Sequence, residues 1–131
     1  IKISVSENAI FPLHAGAASK LLICQLSESR LNKLLDTTLP RYTENTITDR
    51  EELKKELLKI NINKLYFDNM EHSKNIKAVA VPFLDKKNRI IAAVSCPCFP
   101  DSLPDERATK IVKEMRKACD EISKRLDYFN K

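Results

Sequence analysis

The chain has 131 residues with 23 basic and 18 acidic side chains, and its composition of 43% hydrophobic and 31% charged residues is that of one globular domain spanning residues 1–131. These values exclude a disordered chain and a disulfide-rich secreted scaffold, and the formal charge of +5 is too mixed to indicate a nucleic-acid partner by itself. No apolar stretch approaches the roughly 20 residues of a membrane span and no signal peptide opens the sequence, so we expect a cytoplasmic protein with no membrane partner.

Apolar and polar residues alternate over residues 1–5, which predicts a half-buried strand. Such a strand needs partners, and the chain begins at Ile1 without a methionine. We therefore expect the first elements of the domain to be missing. Apolar residues at helical spacing then predict a short helix that starts near Ala17 and a second one between Ser29 and Asp36.

The clearest helix start in the sequence comes next. Thr48 and Glu51 have the spacing of a capping box, which predicts a helix over residues 49–60. Residues 65–67 are then expected to form a strand that ends at Asp68.

Two apolar runs, residues 78–84 and 90–95, are joined by a short polar segment, which predicts a β-hairpin. Because both runs are almost entirely apolar, they fit the centre of a sheet that is covered on both faces. Ser102 and Asp105, with Pro104 expected in the first turn, then start a long helix. Its apolar stripe consists of Ala108, Ile111, Val112, Met115, Ala118, Cys119, Ile122, Leu126 and Phe129. Several helices around an antiparallel sheet indicate an α+β fold.

Gly16, the sole glycine of the chain, lies where a loop enters the first predicted helix. A glycine there indicates either an unusual φ or a close backbone approach. Ala17, Ala18 and Ser19 follow, so no bulky side chain covers the first-turn amides, which could hold an anion. The alternative is that the small residues let the helix pack closely on a neighbour. Taken alone, these residues favour close packing.

Cys96 and Cys98 suggest a zinc site completed by His14 and His72, or a cysteine nucleophile with a histidine base. The single-residue spacing is not that of a zinc knuckle, and nothing in the sequence brings the histidines near the cysteines. The favoured interpretation is a pair of reduced, partly buried thiols at a strand end. We expect no metal, no cofactor and no catalysis.

Asp68 follows a predicted strand, where a partly buried carboxylate needs hydrogen-bond partners such as a ligand hydroxyl, a backbone amide or Ser95. A turn-initiating aspartate is an equally good interpretation. Lys86, Lys87 and Arg89 form the basic tip of the predicted hairpin, most simply a solvated turn.

Several segments form a further pattern along nearly all of the chain. They are residues 12–15 (PLHA) with 19–20 (SK), 39–43 (LPRYT) with 46–49 (TITD), Asp68 with Glu71, 80–85 (AVPFLD) and 93–95 (AVS). In this order they resemble the effector-binding domain of IclR-type bacterial transcription regulators. The resemblance implies a GAF-like or profilin-like domain that senses a small metabolite, often a carboxylate, and self-associates as a dimer or tetramer. In the family, DNA is bound by an N-terminal winged helix-turn-helix domain, which this chain lacks.

Matched position by position, the resemblance implies a ligand site. It also favours a ligand pocket at the start of the first helix over close packing of that helix on a neighbour. Its residues would be Phe11, Ala17, Ala18, Asp68, Ala78, Ser95 and Pro97. Amides at Ala17 and Ala18 would hold the carboxylate of a small mono-anionic ligand. Asp68 and Ser95 would bind its hydroxyl, whereas Asp68 would repel a second carboxylate.

The chain departs from the family pattern at several positions, and two other functions stay open. Ser19 replaces a glycine, Ala78 a frequent cysteine, and Pro97 a serine that often donates to the ligand. The replacements at Ala78 and Pro97 would allow a ligand-independent dimerisation module with a closed pocket. Cys96 and Cys98 would allow a cysteine-based redox sensor.

Overall fold

The computed structural model describes residues 2–129, with side chains up to residue 126. In chain order it contains helices α1 (Ala17–Ile23), α2 (Glu28–Leu34) and α3 (Arg50–Asn63), strands β1 (Tyr66–Asn69), β2 (Lys77–Leu84) and β3 (Ile90–Cys98), a 3₁₀ turn (Pro100–Ser102), and helix α4 (Asp105–Phe129). The strands form one antiparallel sheet in the order β1-β2-β3. The predicted α+β fold, with helices packed around an antiparallel sheet, is confirmed.

The apolar core lies on both faces of β2. On one face, Leu57 of α3 and Ala80 of β2 belong to a cluster to which α1 and α2 also contribute. On the other face, Val79 packs with Val112 and Cys119 of α4. Because successive side chains of a strand point to opposite faces, β2 serves both clusters.

Gly16 precedes α1 with a φ of +123°, a region that residues with a Cβ rarely adopt. A Cβ built there would meet nothing nearer than Ser19 Oγ at 4.0 Å. The position therefore requires glycine for its φ and not for lack of space. The predicted start of the helix at Ala17 is confirmed.

Helix α3 forms where it was predicted, but its N-cap differs from the prediction. Asp49 Oδ1 accepts the backbone N–H of Glu52 at 2.8 Å, while the Thr48 hydroxyl accepts from the Arg41 guanidinium at 3.0 Å. The capping box was wrong by one residue, because Thr and Asp both cap well and their neighbours decide which one does. The helix also continues beyond residue 60, to Asn63.

The strand predicted over residues 1–5 is not found among the described residues 2–5, and Ile1 lies outside them. No described segment pairs with these residues. Val5 is exposed. A strand is stabilised by its cross-strand neighbours, so alternation without a partner does not suffice to form one.

The predicted hairpin is confirmed, but only one of its strands is covered on both faces. β2 is buried along most of its length, whereas β3 pairs with β2 alone among the described residues and exposes Ile91, Ser95 and Pro97. Apolar composition predicts burial of both runs, but the strand order decides which of them has two neighbours.

Helix α4 is long, as predicted, but begins after Pro104, whose carbonyl accepts the N–H of Ala108 at 2.9 Å. The apolar stripe is buried at Ala108 and Val112, where it meets the sheet, and exposed at Leu126. The Phe129 side chain lies outside the described side chains. No helix within residues 2–129 combines the length and apolarity needed to cross a membrane.

Candidate functional site

The strand register brings four predicted site residues to one face of the sheet. Two rows of cross-strand partners form this surface, Asp68, Ala78 and Pro97 in one row and Tyr66, Ala80 and Ser95 in the next. Residues directly opposite each other in antiparallel strands point to the same face. We call these two rows the floor.

Helix α1 lies over the floor. Ala17 is buried in the same apolar cluster as Ala78 and Ala80, and Ala18 beside it is half-buried. The small side chains allow either close packing of α1 on the sheet or space for a small molecule. Phe11 lies in the loop before α1, where its exposed ring packs against that of His72 at a centroid distance of 5.8 Å.

Asp68 is buried at the end of β1. Its Oδ1 accepts the backbone N–H of Glu71 at 2.8 Å, which is the turn-initiating role that the sequence allows. Asp68 Oδ2 has no hydrogen-bond partner among the described residues. Burial raises the pKa of Asp68, while Lys20 and His72 act in the opposite direction. The carboxyl group can therefore still accept a hydrogen bond from a ligand.

Ser95 is exposed on β3 and does not pair with Asp68, contrary to one expectation from the sequence. Strand β2 separates them and they lie in different rows, two residues apart along the strands, which places their Cα atoms roughly 12 Å apart. No single hydrogen bond spans that gap, and only a longer molecule with polar groups at both ends does.

A buried polar cluster lies beside the floor and is formed by Lys20 of α1, Tyr66 of β1 and Glu71 of the following loop. Lys20 Nζ lies 2.6 Å from Glu71 Oε2 and donates to the Tyr66 hydroxyl at 2.9 Å, and this hydroxyl donates to Glu71 Oε1. Lys20 is 0% exposed. Burial, together with the Glu71 carboxylate, raises the pKa of Tyr66 well above its usual range, so its hydroxyl stays protonated.

The sequence analysis missed this cluster, although a signal for it exists. Lys20 follows Ala17 by three residues and precedes Cys24 by four, which puts it on the buried face of α1. A lysine on such a face needs a buried acceptor. The spacing does not say which of the many acidic residues of the chain supplies it.

Two threonines connect this cluster to the loop after α2. The Thr46 hydroxyl donates to the Glu71 carbonyl at 2.7 Å, and the Thr43 hydroxyl donates to the Met70 carbonyl at 2.7 Å. Both threonines are buried. The loop that carries Glu71 is thus held from two sides, by α1 and by the segment before α3.

Cys96 and Cys98 lie on the opposite face of the sheet from the floor, whereas Cys24 belongs to the apolar cluster on the floor side. Cys96 pairs with Val79, so its side chain points toward α4, and Cys98 points the same way. Among the described side chains, no group of three or more His, Cys, Asp or Glu is arranged to hold a metal ion. Burial raises the pKa of the Cys98 and Cys119 thiols, which disfavours the thiolate that a nucleophile or redox sensor needs.

The basic hairpin tip is organised as a turn around Asp85. Its Oδ1 accepts the backbone N–H groups of Lys87 and Arg89, each at 2.9 Å, and the Arg89 side chain lies 2.7 Å from Oδ2. The hydrogen bonds from Arg89 lower the pKa of Asp85. These contacts agree with the solvated turn expected from the sequence.

Comparison of the sequence with known proteins finds bacterial transcriptional regulators. A family model described as "Bacterial transcriptional regulator IclR C-terminal" matches residues 3–124. The HTH-type transcriptional regulator XynR of Escherichia coli K12 is 30% identical over 118 residues, which are 89% of this chain and 47% of XynR. The chain spans about half the length of the curated relatives that it matches.

Comparison of the fold finds similar solved structures. The crystal structure of an IclR transcriptional regulator from Alicyclobacillus acidocaldarius matches with a TM-score of 0.82 at 28% identity, over 94% of this chain and 49% of that one. A double mutant of the PobR inducer-binding domain from Acinetobacter, in complex with 3-hydroxybenzoic acid, matches with a TM-score of 0.81 at 23% identity, over 86% of this chain and 66% of that one.

Proposed function

Because the chain belongs to the family of C-terminal domains of IclR-type bacterial transcriptional regulators, we propose that it senses a small carboxylate and thereby regulates DNA binding by a separate N-terminal domain. The sensor itself performs no catalysis and works in the cytoplasm. Raised thiol pKa values at Cys98 and Cys119 speak against the redox sensor, and the regulator relatives favour ligand sensing over a closed dimerisation module.

The observation that carries this proposal is the floor beneath α1. Asp68 offers a carboxylate oxygen without a partner among the described residues at one end, and Ser95 offers a hydroxyl at the other. Ala78 and Ala80 of β2 lie between them and carry only methyl groups on this face. A small ligand on this surface would contact one of these polar groups, and only a longer one would reach both.

The charge of the site supports a ligand with a single negative charge. No side chain caps the start of α1, so the amides at Ala17 and Ala18 have no side-chain acceptor there. The Asp68 carboxylate would repel a second anionic group on the ligand. Phe11 and Pro97 complete the proposed site as apolar contacts.

We also propose that elements preceding this chain complete the domain and that it assembles as a dimer or tetramer. The outer edge of β3 is unpaired among the described residues, and Leu126 of α4 is exposed, as expected where neighbouring elements are missing. A ligand shifts such an assembly only if it binds one arrangement of the domains better than another.

The proposal predicts that Ala18→Leu blocks ligand binding without unfolding the domain, because the larger side chain would fill the space above the floor. Binding is measured as the shift in melting temperature with pyruvate, lactate, 3-hydroxybenzoate and succinate. A ligand at ~100 times its Kd stabilises the folded state by about 2.7 kcal/mol. We expect the unmodified chain to respond to at least one monocarboxylate.

The matched control is Ala118→Leu, the same substitution at an exposed position of α4. It should keep the ligand response of the unmodified chain. If Ala18→Leu binds ligand normally, the proposed ligand site at α1 is wrong, and Ala17 and Ala18 serve only to let the helix pack closely on the sheet. Tighter binding of dicarboxylates than of their monohydroxy counterparts would refute the assigned ligand charge.

A further inference from the structure

A groove separate from the floor lies at the other end of the sheet, between the turn after α1, the end of α3 and the tip of the β-hairpin. Ser95 follows Ile90 by five residues on β3, which separates the floor from this groove by roughly 15 Å along the strand. The groove has a volume of about 590 Å³, which is in the range of small-molecule sites. Its polar lining residues include Gln25, Ser27, Arg30, Asn61, Lys64 and Arg89. Among the described residues that line it, three are cationic and none is acidic.

The side chain of Gln25 fixes two walls of the groove to each other. Its amide nitrogen donates to the Ile90 carbonyl at 2.6 Å, and its Oε1 accepts the Ile90 N–H at 2.8 Å. Because a side chain engages both backbone groups of Ile90, a further strand can pair with β3 only C-terminal to this residue. The groove therefore lies beyond the stretch of β3 that is left for a neighbouring strand.

Two of the three cations in the groove have no acidic partner among the described residues. The Arg30 guanidinium makes no hydrogen bond or ion pair there, since only its backbone N–H is bonded to a side chain. Lys64 follows α3 in a left-handed conformation, and its Nζ donates at 2.6 Å to Asn61 Oδ1, which is a neutral acceptor. Arg89 differs, because it is paired with Asp85 at 2.7 Å. The groove thus carries two uncompensated positive charges, whose mutual repulsion an anion would relieve.

Asn61 adds a donor of defined orientation. Its Oδ1 accepts from Lys64 and faces the thiol of Cys24 at 4.0 Å, so the opposite side of the amide is the nitrogen. This nitrogen has no acceptor among the described residues. Asn61 is half-buried, so its N–H groups are less well hydrated than those of an exposed side chain. A ligand oxygen would satisfy them.

We propose that this groove is a second ligand site, which binds the phosphate group of a small phosphomonoester. A phosphomonoester carries a charge of about −2 at pH 7, which the two uncompensated cations match. The Arg30 guanidinium and the Asn61 amide donate to phosphate oxygens, and Lys64 acts as a point charge beside them. The groove shares no residue with the effector site on the floor, so this inference goes beyond the proposed function and does not depend on it.

The probes are inorganic phosphate, glucose 6-phosphate and uncharged glucose, with Kd values from calorimetry at low ionic strength. We expect both phosphates to bind and glucose not to bind. Arg30→Gln and Lys64→Gln should each weaken the binding of glucose 6-phosphate at least about fivefold, because each removes a charged donor. Since Arg30 is exposed, Arg30→Gln also serves if the Lys64 variant does not fold.

The matched control is Lys55→Gln, which removes the same charge from an exposed position of α3 outside the groove. Its Kd for glucose 6-phosphate should stay within about twofold of that of the unmodified chain. As a second readout, the side-chain amide NMR signals of Asn61 and Gln25 should shift on titration with glucose 6-phosphate.

Three results would overturn the second site. Neither phosphate binds the unmodified chain, or Lys55→Gln weakens binding as much as Arg30→Gln, which would mean attraction by the net charge of +5 alone. Equally tight binding of succinate would mean that the groove does not select phosphate. If glucose 6-phosphate binds as expected but no monocarboxylate binds, the second site stands and only the proposed function fails.

Discussion

Lys20 and Glu71 face each other in the interior, where neither charge is hydrated. Moving each ion out of water costs several kcal/mol, and their attraction and the bridging hydroxyl of Tyr66 offset this cost. A pair of this kind adds little stability compared with an apolar core. Losing one partner is different, because the other charge then stays buried without compensation.

Replacing Lys20 with methionine, which keeps most of the side-chain volume, should lower the free energy of unfolding by about 3–5 kcal/mol. Urea unfolding followed by circular dichroism measures the change. The matched control is Lys54→Met, which breaks the Lys54–Glu51 pair on the surface and should cost no more than about 1 kcal/mol.

A double substitution, Lys20→Met with Glu71→Gln, tests the cause of that loss. With the buried charge also removed, it should be more stable than Lys20→Met alone. Equal effects of Lys20→Met and Lys54→Met would mean that the buried pair behaves like a solvated one.

At the scale of elements, the start of α3 depends on one side chain. Asp49 satisfies the Glu52 amide, one of the first-turn donors that have no partner within the helix. Its charge is also favourable at the positive end of the helix dipole. Thr48, one residue earlier, is engaged with Arg41 and does not cap the helix.

Asp49→Ala should therefore lower the free energy of unfolding by about 1 kcal/mol, whereas Asp49→Asn should be nearly neutral, because asparagine caps as well as aspartate. Thr48→Ala should cost less than Asp49→Ala. Chemical denaturation of the three variants measures these differences. A larger loss in Thr48→Ala would restore the capping box predicted from the sequence.

At the scale of the whole molecule, the sheet separates two apolar clusters that share β2. Leu57 lies in the cluster beneath α1 and α3 and is 1% exposed, whereas its neighbour Leu58 is 63% exposed. The same residue type in consecutive positions therefore contributes very differently to the core. Burial, and not helix propensity, is the physical difference between them.

Leu57→Ala should lower the free energy of unfolding by about 2–5 kcal/mol, from lost apolar contact and the cavity left behind. Leu58→Ala should stay within about 0.5 kcal/mol of the unmodified chain. Near-equal losses from urea unfolding would mean that Leu58 is covered in solution, as in an assembly of several copies.

Local sequence patterns predicted much of the fold and identified the family. Helical spacing predicted α1, α2, α3 and α4, the apolar runs predicted the hairpin, and the ordered motifs identified the IclR-type regulator family that the comparisons confirm. These features depend on residues close in sequence, where spacing maps directly onto one face of a helix or strand.

The candidate site was predicted in part. Asp68, Ala78, Ser95 and Pro97 share a face. Of the partners that the sequence allowed for Asp68, the structure shows a backbone amide and not Ser95, and the buried cluster of Lys20, Tyr66 and Glu71 was missed. Their distances depend on strand order and register. Those are set by pairing across the sheet and not by neighbours along the chain.

The sequence alone specifies where the four helices and the β-hairpin form and to which family the chain belongs, because these follow from residue spacing and motif order. The fold decides that β3 pairs only with β2 among the described residues, that Lys20 pairs with Glu71, and that the Tyr66 hydroxyl bridges that pair. These properties arise from contacts between residues as much as 51 positions apart, as between Lys20 and Glu71, and burial gives those contacts their energy.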